Sequence, residues 1–237
     1  MITPKDIENK TMNPAKRAEA KNSFFAFYIG RPISYVLTIP FLYTNISPNV
    51  VTIMSIICAF IGFGFLSFGT SAEHQLIGVL FIFLWNMGDG IDGNIARFKN
   101  IKSSRGDLLD TLGGYLALAL IILGMGNAAY NVSDIVIISK SFPMIIAGLS
   151  AIFTLIPRLL MHRKIALSRN KESATSLKDK EHYSLAKVVA LNICDPAGFQ
   201  EVIMVIAILC NATLYFTIFY FLINLVTMLY SLMQLCD

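Results

Sequence analysis

Asp89, Asp92 and Asp110 stand in the run DGIDGNIARFKNIKSSRGDLLD (residues 89–110), which has apolar sequence on both sides. An ionised Asp costs about 2.5–3.5 kcal/mol at the centre of a membrane helix and less near its ends, so a group of them needs a compensating partner. Carboxylates held close also oppose one another's ionisation. A divalent cation answers both costs. Carboxylate oxygens suit Mg²⁺ or Mn²⁺, and Mg²⁺ is commonly shared with phosphate oxygens. Asp89, Asp92, Gly93 and Ala96 recur at intervals of three or four and so share a helical face; Gly106 and Asp110 do the same on the next helix. Gly90, Gly93 and Ala96 leave room for a ligand close to the backbone. Arg97, Lys99, Lys102 and Arg105 add positive charge. The composite reads as a metal–pyrophosphate site. The alternative is an interfacial salt-bridge cluster in which the acids pair with Arg97 and Arg105.

These residues need elements that bring two helix ends together, and the composition says which kind. Of 237 residues, 55% are hydrophobic and 14% charged, with a mean hydropathy of +0.64. A soluble domain runs nearer ~45–50% apolar and ~25% charged. A bilayer core of about 30 Å needs roughly 20 helical residues. Segments of that kind fall at about 48–69, 74–97, 105–127, 138–161, 194–210 and 213–235. The fold expected is an all-α integral membrane protein with six transmembrane helices, its last two joined by a tight hairpin at Asn211-Ala212-Thr213. Residues 1–23 form a polar N-terminus. Residues 24–46 are apolar and aromatic but interrupted by Pro32 and Pro40, and read as an amphipathic helix lying in the interface; a seventh span is the alternative. Residues 47–237 form the six-span domain.

Basic residues sit on alternate sides of these spans. They cluster before the first, at Arg97–Arg105 between the second and third, and from Arg158 to Lys187 around the loop between the fourth and fifth. By the positive-inside rule those segments and both termini are cytoplasmic. The same pattern accounts for the basic clusters without nucleic acid. The opening MITPKDIENKTMNPAKRAEAKNSFF is polar, unlike a signal peptide. Cys58, Cys194, Cys210 and Cys236 form no CxxC pair, which argues against zinc. A transporter would place its acids near the midplane on broken helices; here they lie near the helix ends.

The residues resemble a known family. The CDP-alcohol phosphotransferases carry D-x-x-D-G-x-x-A-R-x8-G-x3-D-x3-D, and this sequence supplies Asp89, Asp92, Gly93, Ala96, Arg97, Gly106 and Asp110 at those intervals. SPNVVT at 47–52 looks like the family's entry to its first span. The resemblance implies transfer of a phosphoryl-alcohol group from a CDP-alcohol donor to an acceptor alcohol with release of CMP, one partner often being a lipid. It implies that Asp89, Asp92 and Asp110 are ligands of Mg²⁺ or Mn²⁺, with Asp110 part of the catalytic group, and that Gly93, Ala96, Arg97 and Gly106 shape the site for the CDP moiety. Pairing of two copies is a family-level expectation, and a bacterial inner membrane is the expected location.

One position departs from the pattern. The family's fourth Asp, which completes a two-metal site and is its proposed base, falls at Gly114. Three readings are open: Asp107 on the same helix is a substitute base; the protein binds CDP-alcohol, or regulates a true synthase, without turnover; or the acceptor needs no base there. An acid after the motif Gly also occurs in the choline/ethanolamine branch. Glycerol phosphate, inositol phosphate, serine, an amino alcohol and a sugar-linked alcohol all remain as acceptors.

Outside the motif, Arg158 and Arg163 could bind an acceptor phosphate through guanidinium forks, or simply anchor the span. His162 and His182 read as solvated. Asp195-Pro196 looks like a helix N-cap with Pro in the first turn, and Gln200 and Glu201 could line an acceptor pocket. The Asn-x-Ser/Thr sequences at Asn131 and Asn211 lie in short loops close to lipid and read as unmodified.

Overall fold

The computed structural model of the chain describes residues 1–132, 137–167 and 185–234. The polar loop at 168–184 with His182, Ser133 and Cys236 lie outside the described residues. Every regular element among the described residues is helical. Two short helices, α1 (Pro4–Thr11) and α2 (Pro14–Ala20), precede α3 (Arg31–Leu42). Then come α4 (Pro48–Phe68), α5 (Ala72–Phe98), α6 (Ser104–Val132), α7 (Phe142–Leu167), α8 (Leu185–Cys194), α9 (Glu201–Leu209) and α10 (Thr213–Met233).

Five of these, α4 to α7 and α10, are long and apolar enough to cross a membrane, and they coincide with five of the expected spans to within about six residues at each end. On α4 the exposed Val50, Ile53, Met54, Ile57, Phe60 and Ile61 recur at helical spacing, an outer face suited to lipid. The chain is an integral membrane protein. The fifth expected span differs. Residues 196–209 form a shorter apolar stretch, opening with a wide π-helical turn (Pro196–Gln200) whose Gly198 leaves helical geometry at φ −95°, ψ −140°. Asp195 caps it as expected, its side chain accepting from Ala197 N at 3.2 Å. A Cβ on Gly198 would run into the carbonyl oxygen of Asn192, so only glycine allows the turn to fold back so tightly.

The segment 24–46 contains one continuous helical run, Ala26–Leu42, shorter than a span. Its first five residues, Ala26–Gly30, take the wider π form immediately before Pro32. Proline lacks an N–H and clashes with the carbonyl four residues earlier, and the widened turn relieves both demands.

The described residues cluster into two compact units. The first comprises Met1–Ile61, Leu80–Ala117 and the described part of Tyr183–Glu201; the second comprises Gly62–Val79, the described part of Leu118–His182 and Val202–Asp237. In the first unit α3 and α4 pack against α5 through small residues. A Cβ on Gly88 would meet Ser55 Cβ at 2.6 Å, and one on Gly90 would meet Ser34 Cβ at 3.1 Å. Such close backbones are how membrane helices gain packing energy without a hydrophobic drive between them. Asn192 ties the N-terminal arm to α8, donating to Asn22 O at 2.7 Å and accepting from Phe24 N at 2.7 Å. In the second unit α7 and α10 join through Asn224 Nδ2 on Ser150 Oγ at 2.9 Å and the tilted ring pair Phe153 and Phe221, 5.9 Å between centroids.

Two asparagines turn the chain. Asn100 (φ 53°) ends α5, with Ile101 N donating to Ala96 O at 2.8 Å; Asn211 (φ 55°) ends α9 with the same closing bond, Ala212 N to Ala207 O at 2.6 Å. Both are left-handed caps of the Schellman kind, for which Asn stands in for Gly. The first sends Lys102–Ser104 straight into α6. The second makes the expected hairpin at 211–213.

Candidate functional site

A cavity of about 710 Å³ lies within the first unit, walled by α3, α4, the C-terminal half of α5, the turn after it and the start of α6. Asp89, Asp92, Gly93, Ala96, Arg97, Gly106, Asp107 and Asp110 all line it. The helical spacing of Asp89 to Arg97 puts them on one side of α5, and the Asn100 cap brings the first turn of α6 opposite. Arg158 and Arg163 belong to the second unit and are not among the lining residues.

The carboxylates are held differently. Asp92 is 5% exposed and accepts a hydrogen bond from Thr52 Oγ1 on α4. Asp89 and Asp110 are exposed on the cavity wall. The Asp89 carboxyl lies beside that of Asp110 and within electrostatic range of Asp92 and Asp195. Asp107 is likewise exposed, in the first turn of α6. Among the described residues no three His, Cys, Asp or Glu side chains close on a single point where they could hold an ion by themselves. Asp92 is tied back to α4, and Asp89 and Asp110 approach from different helices.

The salt-bridge alternative is not what the chain adopts. Among the described residues Arg17–Glu8 is the ion pair that forms, and neither Arg97 nor Arg105 pairs with Asp89, Asp92 or Asp110. The Arg97 guanidinium instead donates to Asn94 Oδ1 at 3.4 Å, and Asn94 Nδ2 donates in turn to Ser34 Oγ (3.3 Å) and Thr38 Oγ1 (3.2 Å). Arg97 is therefore steered by α3 rather than by an acid, and its charge is left for something else.

Glycine makes room for that arrangement. A Cβ on Gly93 would lie 2.8 Å from Arg97 Nη2 and 3.2 Å from its Cζ, so the guanidinium occupies the space a side chain would take. We expect Gly93→Ala to fold at least as well, since Ala favours a helix over Gly by about 0.8–1 kcal/mol. Its affinity for inorganic pyrophosphate, a probe polyanion, should fall about tenfold because Arg97 is pushed out of place, a loss of ~1.4 kcal/mol. Thermal melting alongside pyrophosphate titration with Mg²⁺ checks both signs; unchanged pyrophosphate affinity refutes Arg97 as an anion-binding group of this cavity. Gly106 plays a similar part, a Cβ there meeting Asn49 Oδ1 at 2.9 Å. Gly114 does not line the cavity, and nothing lies within 4 Å of its Cβ position.

Several lining residues escape a reading of the motif alone: Arg31 and Ser34 on α3, Asn49 and Thr52 on α4, and Asn86 on α5. Asn86 stands one turn before Asp89 on the same face, and extending the helical spacing backwards would have found it. Its Nδ2 donates to Glu201 Oε1 at 3.0 Å and to Pro196 O at 3.2 Å, which spends both N–H bonds and leaves its carbonyl oxygen for the cavity. Glu201 and its chain neighbour Gln200 are 4% and 1% exposed, with Glu201 Oε2 and Gln200 Oε1 lacking partners among the described residues. Glu201 holds Asn86 through that bond; neither Glu201 nor Gln200 lines this cavity.

Such a wall, carrying acids together with guanidinium groups that form no salt bridge among the described residues, can take a polyanion together with a cation. Residues 45–230 match the family described as CDP-alcohol phosphatidyltransferase. An uncharacterized protein of Aquifex aeolicus (strain VF5) is 32% identical over 89 residues, a match covering 37% of this chain and 43% of that protein. The chain thus spans under half the length of that relative.

Proposed function

Because the chain belongs to the CDP-alcohol phosphatidyltransferase family, we propose that it transfers a phosphoryl-alcohol group from a CDP-alcohol such as CDP-diacylglycerol to an acceptor alcohol, releasing CMP, in phospholipid or related biosynthesis. One observation carries this reading furthest: Asp89, Asp92, Asp107, Asp110 and an Arg97 with no acid partner share the wall of a single cavity.

The donor set is carboxylate oxygen throughout, which suits Mg²⁺ or Mn²⁺, and Mg²⁺ uses one or two protein carboxylates with substrate phosphates rather than a closed protein cage. Asp89, Asp92 and Asp110 would hold the ion, which supplies charge neutralisation along the diphosphate when bound. The chain's own groups do the rest. Thr52 fixes Asp92 in orientation. The acceptor hydroxyl oxygen forms a bond to the distal phosphorus as the bridging P–O bond breaks, and CMP departs with that electron pair. Asp107 takes the hydroxyl proton, and Arg97 stabilises charge on the departing phosphate. Positioning supplies much of the acceleration in such transfers. The distribution of basic residues supports a cytoplasmic mouth with both termini cytoplasmic, and the short loops favour a bacterial inner membrane as the location.

The test is CMP release in detergent from CDP-diacylglycerol and other CDP-alcohols, with Mg²⁺ or Mn²⁺ and a panel of acceptor alcohols. We expect divalent-dependent CMP formation with at least one pair. Binding of CDP without CMP release from any pair overturns the transferase reading in favour of a nucleotide-binding relative, the role that Gly114 would then explain.

A further inference from the structure

Arg31 sits at the start of α3, in a segment whose aromatic, apolar character suggests an interfacial anchor, where an Arg normally extends into water. Its surroundings differ from that picture. Arg31 lines the same cavity as Arg97. It is held there by the docking of α3 on α5: Gly90 lets Ser34 approach closely, Asn94 bonds Ser34 and Thr38, and Ser34 Oγ donates to Arg31 O at 2.9 Å. The two guanidinium groups are near enough to repel each other. Among the described residues neither has a carboxylate within salt-bridge distance. Among the described residues the Arg31 guanidinium bonds only Met12 Sδ at 4.0 Å, and that of Arg97 only Asn94 Oδ1 at 3.4 Å. A guanidinium offers five N–H donors, so nearly all of this pair's donor capacity is unspent.

We propose that Arg31 and Arg97 form a two-guanidinium clamp for a phosphate group, so that the helix preceding the first span is part of the binding site. The inference rests on the transferase reading for the identity of the ligands but not for its geometry. Two like charges converging on one cavity, neither within salt-bridge distance of a carboxylate among the described residues, are stabilised by an anion with several oxygens, and forked guanidinium groups match phosphate geometry. The phosphate has two sources, the diphosphate of the CDP donor or the phosphate of a phosphorylated acceptor alcohol. The carboxylates Asp89, Asp92, Asp107 and Asp110 line the same cavity, so it offers both guanidinium donors for a phosphate and carboxylates for a cation.

The experiment is calorimetric titration of the full chain in detergent with Mg²⁺, using CDP, CMP and glycerol 3-phosphate, for wild type, Arg31→Gln and Arg31→Lys. Among the described residues the Arg31 side chain has no hydrogen-bond partner beyond Met12, so the variants should fold, and equal melting temperatures check this. A charged hydrogen bond lost from a phosphate weakens binding by about tenfold to a hundredfold. We expect that loss for Arg31→Gln, with Arg31→Lys between it and wild type because Lys keeps the charge but not the fork. A loss for CDP greater than for CMP assigns the clamp to the donor diphosphate; a loss confined to glycerol 3-phosphate assigns it to the acceptor. Equal affinities of wild type and Arg31→Gln for all three overturn the clamp and leave the transferase reading intact. Wild-type protein that binds glycerol 3-phosphate but no cytidine nucleotide overturns the transferase reading, and Arg31→Gln then still decides the clamp.

Discussion

Asp89→Asn is expected to lower CMP release about a thousandfold while leaving the protein as stable as wild type, or more so, when divalent cations are chelated. The loss is on the order of 4 kcal/mol of transition-state stabilisation, which is the scale on which metal-borne and preorganised charge act in such sites. The stability sign follows from the crowding. Asp89 lies beside Asp110, with Asp92 and Asp195 also in range, so removing its charge relieves repulsion that folding otherwise imposes. Each kcal/mol of relief raises the melting temperature of a chain this size by about 2–4 °C. Added Mg²⁺ should stabilise wild type and stabilise Asp89→Asn much less, because linkage follows affinity for the folded state. Asp89 is exposed on the cavity wall, so the substitution leaves no hole in the packing. Melting curves with and without Mg²⁺, beside CMP assays, check both limbs. A variant that loses activity and also melts well below wild type in chelator would make Asp89 a structural residue, not a functional one.

The long helices were legible because each needs about 20 apolar residues and little else. Pro48–Phe68, Ala72–Phe98, Ser104–Val132, Phe142–Leu167 and Thr213–Met233 follow their hydropathy closely. The stretch from Asp195 to Leu209 did not, since its apolar count hides a break that Pro196, Gly198 and two buried polar side chains impose. Within the site, spacing on one helix is enough to group Asp89, Asp92, Gly93, Ala96 and Arg97. It cannot say which other helix that face meets. Thr52 and Arg31 each enter the cavity as single polar residues from apolar segments, so neither leaves a periodic trace. For the same reason the sequence left a salt-bridge cluster open. Arg97 and the acids are neighbours on paper, but Asn94 and its partners on α3 draw the guanidinium to a different polar contact.

The missing fourth acid yields the sharpest remaining expectation. Asp107→Asn should reduce turnover about 10²- to 10⁴-fold, the usual contribution of a positioned base. Adding Gly114→Asp to that variant should restore part of it. Asp107, Asp110 and position 114 recur at i, i+3 and i+7, so they share one face of α6. The side chain has somewhere to go, because nothing lies within 4 Å of a Cβ at Gly114, whereas the adjacent Gly113 abuts Ile56 at 3.1 Å. A carboxylate added at 114 thus meets no steric barrier, and its cost is electrostatic, another negative charge one turn beyond Asp110. That cost falls on the protein without divalent cation and is offset when one binds, so the double variant should need more Mg²⁺ for half-maximal CMP release than wild type does. Rescue identifies Asp107 as the group standing in for the acid that Gly114 replaces. If Asp107→Asn turns over like wild type, Asp107 has no role in proton transfer. A rate gain from Gly114→Asp alone would then mean that the natural chain works without a base at this position.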